Sequence, residues 1–205
     1  MYYNRLSAIK SLVPKGTRLL DIGCDHALLP IELVKEGIIK EAIASDVNPM
    51  PLKRAENDIK EHNLSDKIKT VLSNGFENVS ENDYDCAAIC GMGGHLIAEI
   101  IQSGENKSKS CKLILQPMSY PEVLRKYLYD NGFEIENEVF AIDNKKPYVI
   151  ILASFIGKKI QYEYEDLIFG KFRPENECFK AYEDKICRRL KKRLLGLLKH
   201  ALEFS

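Results

Sequence analysis

Tryptophan is missing from all 205 residues, and neither sign of charge prevails, with 30 lysines and arginines against 30 aspartates and glutamates. A chain balanced in this way does not coat nucleic acid through bulk positive charge. At 45% apolar residues it is also too apolar to remain disordered. Long hydrophobic runs are lacking. The longest, Val149 to Ile156, falls far short of the roughly 18 residues of a membrane span. The opening Met1-Tyr2-Tyr3-Asn4-Arg5 carries no apolar signal core, so a cytoplasmic address with no membrane attachment is expected. The six cysteines, Cys24, Cys86, Cys90, Cys111, Cys178 and Cys187, form no C-x-x-C pair and have no histidine at ligand spacing. That pattern argues against both a zinc site and a disulfide framework, and no metal is expected. They read as structural thiols, with Cys86 and Cys90 on one face of a strand.

What is present alternates. A short helix over Asn4 to Leu12 is closed by Pro14-Lys15-Gly16, and the run Arg18 to Gly23 reads as a strand followed by a tight turn and a helix over Leu28 to Val34. The unit recurs with a strand at Glu41 to Asp46, a helix at Pro51 to His62 and a strand at Ile68 to Leu72. A fourth strand at Tyr84 to Ile89 runs into Gly91-Met92-Gly93-Gly94 and a helix from His95 to Gln102. A fifth strand, Lys112 to Leu115, precedes a helix from Pro121 to Asn131, and Glu138 to Ile142 with Tyr148 to Phe155 form an antiparallel pair around Asp143-Asn144. Strands and helices that alternate through short connections predict a mostly parallel sheet covered on both faces. The expected architecture is a doubly wound, Rossmann-like α/β domain over residues 1–157.

Residues 158–205 differ in character and read as a small α-helical extension. From Glu175 the apolar positions Phe179, Tyr182, Ile186, Leu190, Leu194, Leu197 and Ala201 follow three- and four-residue steps. Between Lys185 and Lys199 lie seven basic residues and no acidic one. The zero net charge therefore conceals a polarised molecule, since residues 171–205 hold ten basic and five acidic side chains. Arg188, Arg189 and Lys192 are the candidate phosphate contacts of that face.

In doubly wound sheets ligands sit beyond the carboxyl ends of the strands. The first such turn, Asp21-Ile22-Gly23-Cys24-Asp25-His26, has one glycine where a dinucleotide loop has three, and places the carboxylate of Asp25 where a pyrophosphate would lie. Two like charges about 4 Å apart repel by about 4 kcal/mol at an effective dielectric near 20, which disfavours a nicotinamide dinucleotide. A cationic ligand reverses the sign. S-adenosylmethionine, with an ammonium, a sulfonium and no phosphate, suits such a turn. Asp46, with Val47 beside it, is placed to accept from ribose hydroxyls, Asn74-Gly75 to meet the adenine, Gly23 to let the backbone come close, and Gly91 and Met92 to complete the cofactor wall. Gly93 and Gly94 would admit a flat base, with Gln116 and Pro117 on its rim.

Three runs carry a family resemblance: Asp21-Ile22-Gly23-Cys24-Asp25-His26-Ala27-Leu28-Leu29-Pro30, Gly91-Met92-Gly93-Gly94 and Leu115-Gln116-Pro117. Together with Arg5-Leu6 and Val13-Pro14-Lys15-Gly16 they resemble the bacterial tRNA (adenine(22)-N1)-methyltransferases over most of residues 4–157. The resemblance implies S-adenosylmethionine as methyl donor, tRNA as substrate and a helical C-terminal extension that contributes to tRNA binding. Relatives often carry Asn at the position of Met118 and Asp at that of Asn74.

Adenine N1 holds a lone pair in the ring plane and needs no deprotonation before it attacks a methyl group, so orientation is the main demand. The atom lies on the pairing edge, so the base has to be unpaired or flipped. The product is a cation, for which Asp25 and His26 are the candidate catalytic stabilisers. His95 reads as a helix cap or a solvent-facing side chain, and Lys146 and Tyr148 fit RNA contacts and an exposed hairpin equally well. Two other readings stay open, a small-molecule methyltransferase and a noncatalytic RNA-binding module. A monomer or weak homodimer is expected.

Overall fold

A computed structural model describes residues 4–203. Seven strands form one sheet: β1 (Arg18–Ile22), β2 (Glu41–Asp46), β3 (Ile68–Leu72), β4 (Cys86–Gly93), β5 (Lys112–Ser119), β6 (Phe133–Asp143) and β7 (Lys146–Phe155). Their spatial order is β3-β2-β1-β4-β5-β7-β6. The first five run parallel, whereas β7 is antiparallel to both β5 and β6. The order reverses between β1 and β4, and that reversal opens a crevice at their carboxyl ends.

Alternation along the buried strands assigns each residue to a face. Leu20, Ile22, Ala87, Ile89, Leu113 and Leu115 point to one core, and Leu19, Cys86, Ala88 and Ile114 to the other, with Cys90 packed on the second. Cys86 and Cys90 thus share a face, as their spacing predicts. The second core is covered by α1 (Arg5–Leu12), α2 (Leu28–Lys35) and α3 (Pro49–Glu61). The first is covered by α4 (Gly94–Ser103), α6 (Pro121–Asp130), α7 (Tyr164–Phe169) and α8 (Glu177–Glu203), with the short α5 (Glu105–Lys109) after α4. Each fully buried Leu or Ile contributes about 1.5–3 kcal/mol, so the sandwich is held by its two apolar faces.

The strands outrun their predicted ends for physical reasons. β5 continues through Pro117, which lacks an N–H, because register shifts on both sides of Met92 place a bulge opposite it. β6 starts at Phe133, ahead of the predicted Glu138, with a bulge between Ile135 and Asn137. α3 begins at Pro49, a proline at the helix start where no N–H is needed. The helices α5 and α7 have five and six residues, too few to show a periodicity. A reciprocal capping box between Glu163 and Asp166 fixes the start of α7.

α8 is one helix with two environments. Cys178, Tyr182 and Ile186 are buried against β6 and β7, whereas Leu194 and Leu197, predicted on the same stripe, are 58% and 62% exposed. The sheet ends beneath the helix and the remainder projects. The side chains of Lys199 and Ala201 lie outside the described residues. A fully buried ion pair fastens this region: Arg125 Nε donates to Glu138 Oε1 at 2.8 Å, and Arg125 Nη1 donates to the Leu167 carbonyl at 2.8 Å and the Tyr182 hydroxyl at 3.3 Å. Gly170 is needed beside it, since a Cβ there would lie 2.1 Å from Glu138 Oε2. No helix among the described residues is long and apolar enough to cross a membrane.

Candidate functional site

The turn after β1 is pinned by its backbone. Gly23 N and Cys24 N both donate to the Ser45 carbonyl, at 2.8 and 3.0 Å, which ties it to the end of β2. Gly23, Asp25 and Ala27 all have positive φ, at 78°, 41° and 51°. A left-handed non-glycine residue costs roughly 1–2 kcal/mol, so the turn stores strain that its surroundings hold in place.

Asp21 is buried beneath this turn, 5% exposed, with Asp46 near it. Burial first, and the Asp46 charge second, push its carboxyl up to about 7. The same burial, reinforced by Asp21, raises the thiols of Cys24 and Cys90 well above the ordinary cysteine range, so both are inert at neutral pH. Asp46 accepts from the Asn48 N–H at 2.9 Å through one oxygen, and Val47 beside it is 59% exposed. At the end of β3, Asn74 donates to Glu77 at 3.0 Å and Gly75 holds a φ of 56° against Ile100.

A cleft of about 170 Å³ lies on the crevice, lined among others by Arg5, Asp21, Gly23, Gly91 and Gln116. Met92 reaches over the first turn so closely that a Cβ on Gly23 would lie 2.1 Å from its Cε. Gln116 is fully buried, its Oε1 accepting from the Gly91 N–H at 3.1 Å and its Nε2 pointing at Met118 Sδ at 3.5 Å. It therefore positions the β4 turn from below, and Pro117 beside it is buried. A Cβ on Gly94 would lie 2.3 Å from the Tyr120 carbonyl, so the start of α4 and the end of β5 meet backbone to backbone.

Of the residues expected to work together, Asp21, Gly23, Gly91 and Gln116 share this cleft, whereas Asn74 lies in a separate depression with Phe76, Glu77 and Lys107. Asp25 and His26 face α3: His26 Nδ1 is 2.8 Å from Asp58, and Arg54 lies 3.8 Å from Asp25. Arg54 and Asp58, one helical turn apart, escape sequence reading because nothing local distinguishes them from a solvated face. On α8, Arg188 and Lys192 are exposed, and Arg189 is paired with Glu122 at 2.9 Å. Lys185 donates to the Pro147 carbonyl at 3.0 Å, with its ammonium 5.5 Å from the Tyr148 ring centre, and burial lowers its pKa. The basic face of the helix thus begins at the same edge of the sheet as the cleft. Across the rim, Arg5 also lies 5.7 Å from the Tyr148 ring centre. The ring of Tyr120 stands edge-to-face with His95 at 5.1 Å.

A crevice at the β1/β4 reversal, acids at the ends of the first two strands and a turn without a phosphate loop define a Rossmann-like methyltransferase. Residues 2–151 match the family described as "Methyltransferase domain". The chain is 30% identical to the tRNA (adenine(22)-N(1))-methyltransferase of Bacillus subtilis over 167 residues, covering 81% of this chain and 70% of that protein. A Streptococcus pneumoniae protein, proposed as a tRNA (m1A22) methyltransferase and solved with S-adenosyl-L-methionine, superposes with a TM-score of 0.86 at 36% identity, covering 94% of this chain and 91% of the other. M. capricolum TrmK, solved with S-adenosyl-homocysteine, gives 0.80 at 29% identity, covering 95% and 87%. The chain belongs to the tRNA (adenine(22)-N1)-methyltransferase family.

Proposed function

We propose that this protein transfers a methyl group from S-adenosylmethionine to N1 of an adenine in tRNA, the adenine at position 22 as in the names of its relatives. The observation that carries the reading is one edge of the sheet on which a cleft that holds the unpaired carboxylate of Asp21, and no glycine-rich phosphate loop, lies beside the start of a basic helix face. Asp21 is a buried carboxylate with no cation paired to it among the described residues, which suits the ammonium of the donor. The free oxygen of Asp46 suits ribose hydroxyls, with Val47 against the sugar, while Asn74, bonded to Glu77 in its separate depression, would have to turn from it to meet the adenine beside Gly75. Gly91 and Met92 would form the wall near the sulfur, and Gly93 and Gly94 the opening to the acceptor base. Bound S-adenosylmethionine supplies an electrophilic methyl group.

The residues on the acceptor side have to orient the base and exclude water, because N1 carries its own lone pair. Gln116 acts by holding Gly91, and Pro117 stiffens that strand end. Asp25 and His26, which face Arg54 and Asp58 on α3, would steady the cationic product only from the outer side of the turn. Residues 1–157 would carry the chemistry. In residues 158–205 Arg188, Arg189 and Lys192 would neutralise tRNA phosphates without reading sequence. A small-molecule methyltransferase has no use for that basic face.

The test is incubation of purified protein with labelled S-adenosylmethionine and unmodified tRNA transcripts, followed by nucleoside analysis. N1-methyladenosine is the expected product. Cofactor binding with no methylated adenosine in any transcript overturns the substrate assignment.

A further inference from the structure

Tyr120 breaks two local rules at once. It has φ 52° and ψ 48°, the left-handed region that side chains other than glycine, asparagine and aspartate seldom adopt. It also occupies the N-cap of α6, where Ser, Thr, Asp or Asn would bond a free N–H, and it makes no side-chain cap bond. Nothing in the core repays this, because the residue is 51% exposed. Its backbone is nonetheless fixed on every side. The Tyr120 carbonyl accepts from Val123 N at 3.1 Å and lies against Gly94, which has no Cβ to obstruct it. His95 holds the ring edge-to-face at 5.1 Å and an angle of 65°. Met118, two residues before it, adds an exposed apolar side chain at 40% exposure.

The location gives the ring a use. Met92 touches the cofactor turn over Gly23, and in the β4–β5 pairing Met92 stands opposite Pro117 and Gly93 opposite Ser119. Tyr120 is the next residue, so the strand pair that reaches the cleft ends at an exposed aromatic. An edge-to-face pair leaves ring surface open, and a nucleobase stacks on such surface whatever its sequence context.

We propose that Tyr120, braced by His95, is the platform on which the target adenine stacks once it leaves its RNA helix. This deepens the functional reading above and rests on it. A half-exposed ring clamped by its backbone and one neighbour receives a flipped base without first having to order itself, which gives the locally strained residue a use.

Tyr120→Asn removes the ring while tolerating the left-handed backbone, and Tyr120→Phe keeps the ring. Three measurements are made on each full-length variant and on wild type: S-adenosylmethionine affinity by calorimetry, kcat/KM for methylation of a tRNA transcript, and fluorescence of the same transcript carrying 2-aminopurine at the methylated position. Tyr120→Asn is expected to keep cofactor affinity, to lose about 10- to 100-fold in kcat/KM and to lose the quenching that stacking produces. Tyr120→Phe is expected to stay within about threefold of wild type on all three. An asparagine variant with undiminished kcat/KM or undiminished quenching overturns the platform. Wild-type protein that makes no N1-methyladenosine overturns the functional reading instead, and the fluorescence comparison still judges the ring.

Discussion

Replacing Asp21 by asparagine should stabilise the ligand-free protein and at the same time weaken its hold on S-adenosylmethionine. The carboxyl is buried beside Asp46 and its pKa is pushed from an ordinary 3.8 up to about 7. A pKa raised in the folded state gives a favourable contribution that is whole below about 3.8 and is lost as pH rises through about 7. Above that pH the native protein carries an ionised Asp21 at a cost on the order of 4 kcal/mol relative to the unfolded chain. Asparagine has the same shape and no charge, so Asp21→Asn should raise the urea-unfolding free energy by a few kcal/mol at pH 8, with less than half that gain at pH 5. The ammonium of the ligand loses its charged partner in the variant. A hydrogen bond to a charged group is worth about 1.5–3 kcal/mol, so calorimetry should show an affinity loss of about 10- to 100-fold. In wild type the ligand favours the ionised carboxylate, so binding should release close to one proton at pH 6 and only a small fraction of one at pH 8, and affinity should rise with pH from 6 towards 7. Equal or lower stability of Asp21→Asn at pH 8, or an affinity that ignores both the substitution and the pH, would refute the reasoning.

Gly23→Ala forces a side chain into a left-handed position and against Met92, whose flexible end can yield while the backbone cannot. A loss of about 1–2 kcal/mol in denaturant unfolding is expected, not rescued by also shortening Met92. Glu138→Gln leaves Arg125 as a buried charge without its partner, and should cost about 3–5 kcal/mol in unfolding free energy. A loss under 1 kcal/mol would mean that the pair does not anchor α8. The double reversal Arg188→Glu with Lys192→Glu should weaken tRNA binding in filter assays and reduce the salt dependence by about two phosphate contacts, with cofactor affinity unchanged. An unaltered salt slope would remove the basic face from the RNA contact.

Much of the fold was legible because period is a local property. Strand alternation at Leu19-Leu20 and Cys86-Ala87-Ala88, and the helical spacing of Phe179, Tyr182 and Ile186, each report which side faces apolar matter. α5 and α7 escape sequence reading because a turn or two of helix cannot display a period. The ends of β4 and β5 are not legible in the sequence because Gly91 and Pro117 oppose strand structure locally, and only the bulge opposite Pro117 reconciles them. That Asp21, Gly23 and Gly91 meet in one cleft follows from their places at the ends of β1 and β4, which the sequence shows. Gln116 could be named but not understood, since its hydrogen bond to Gly91 spans two strands.

The order of residues by itself determined the alternating α/β architecture, the carboxylates in place of a phosphate loop and the polarity of the C-terminal helix, because hydrophobic period, turn chemistry and charge sign act over a few neighbours. Tertiary structure alone decided that Asp21 loses its water next to Asp46, that α3 supplies Arg54 and Asp58 to the turn after β1, and that Arg125, paired with Glu138 on the sheet, bonds Leu167 and Tyr182 of the helical extension. Desolvation and long-range pairing depend on which surfaces the folded chain brings into contact, and no window of sequence contains that information.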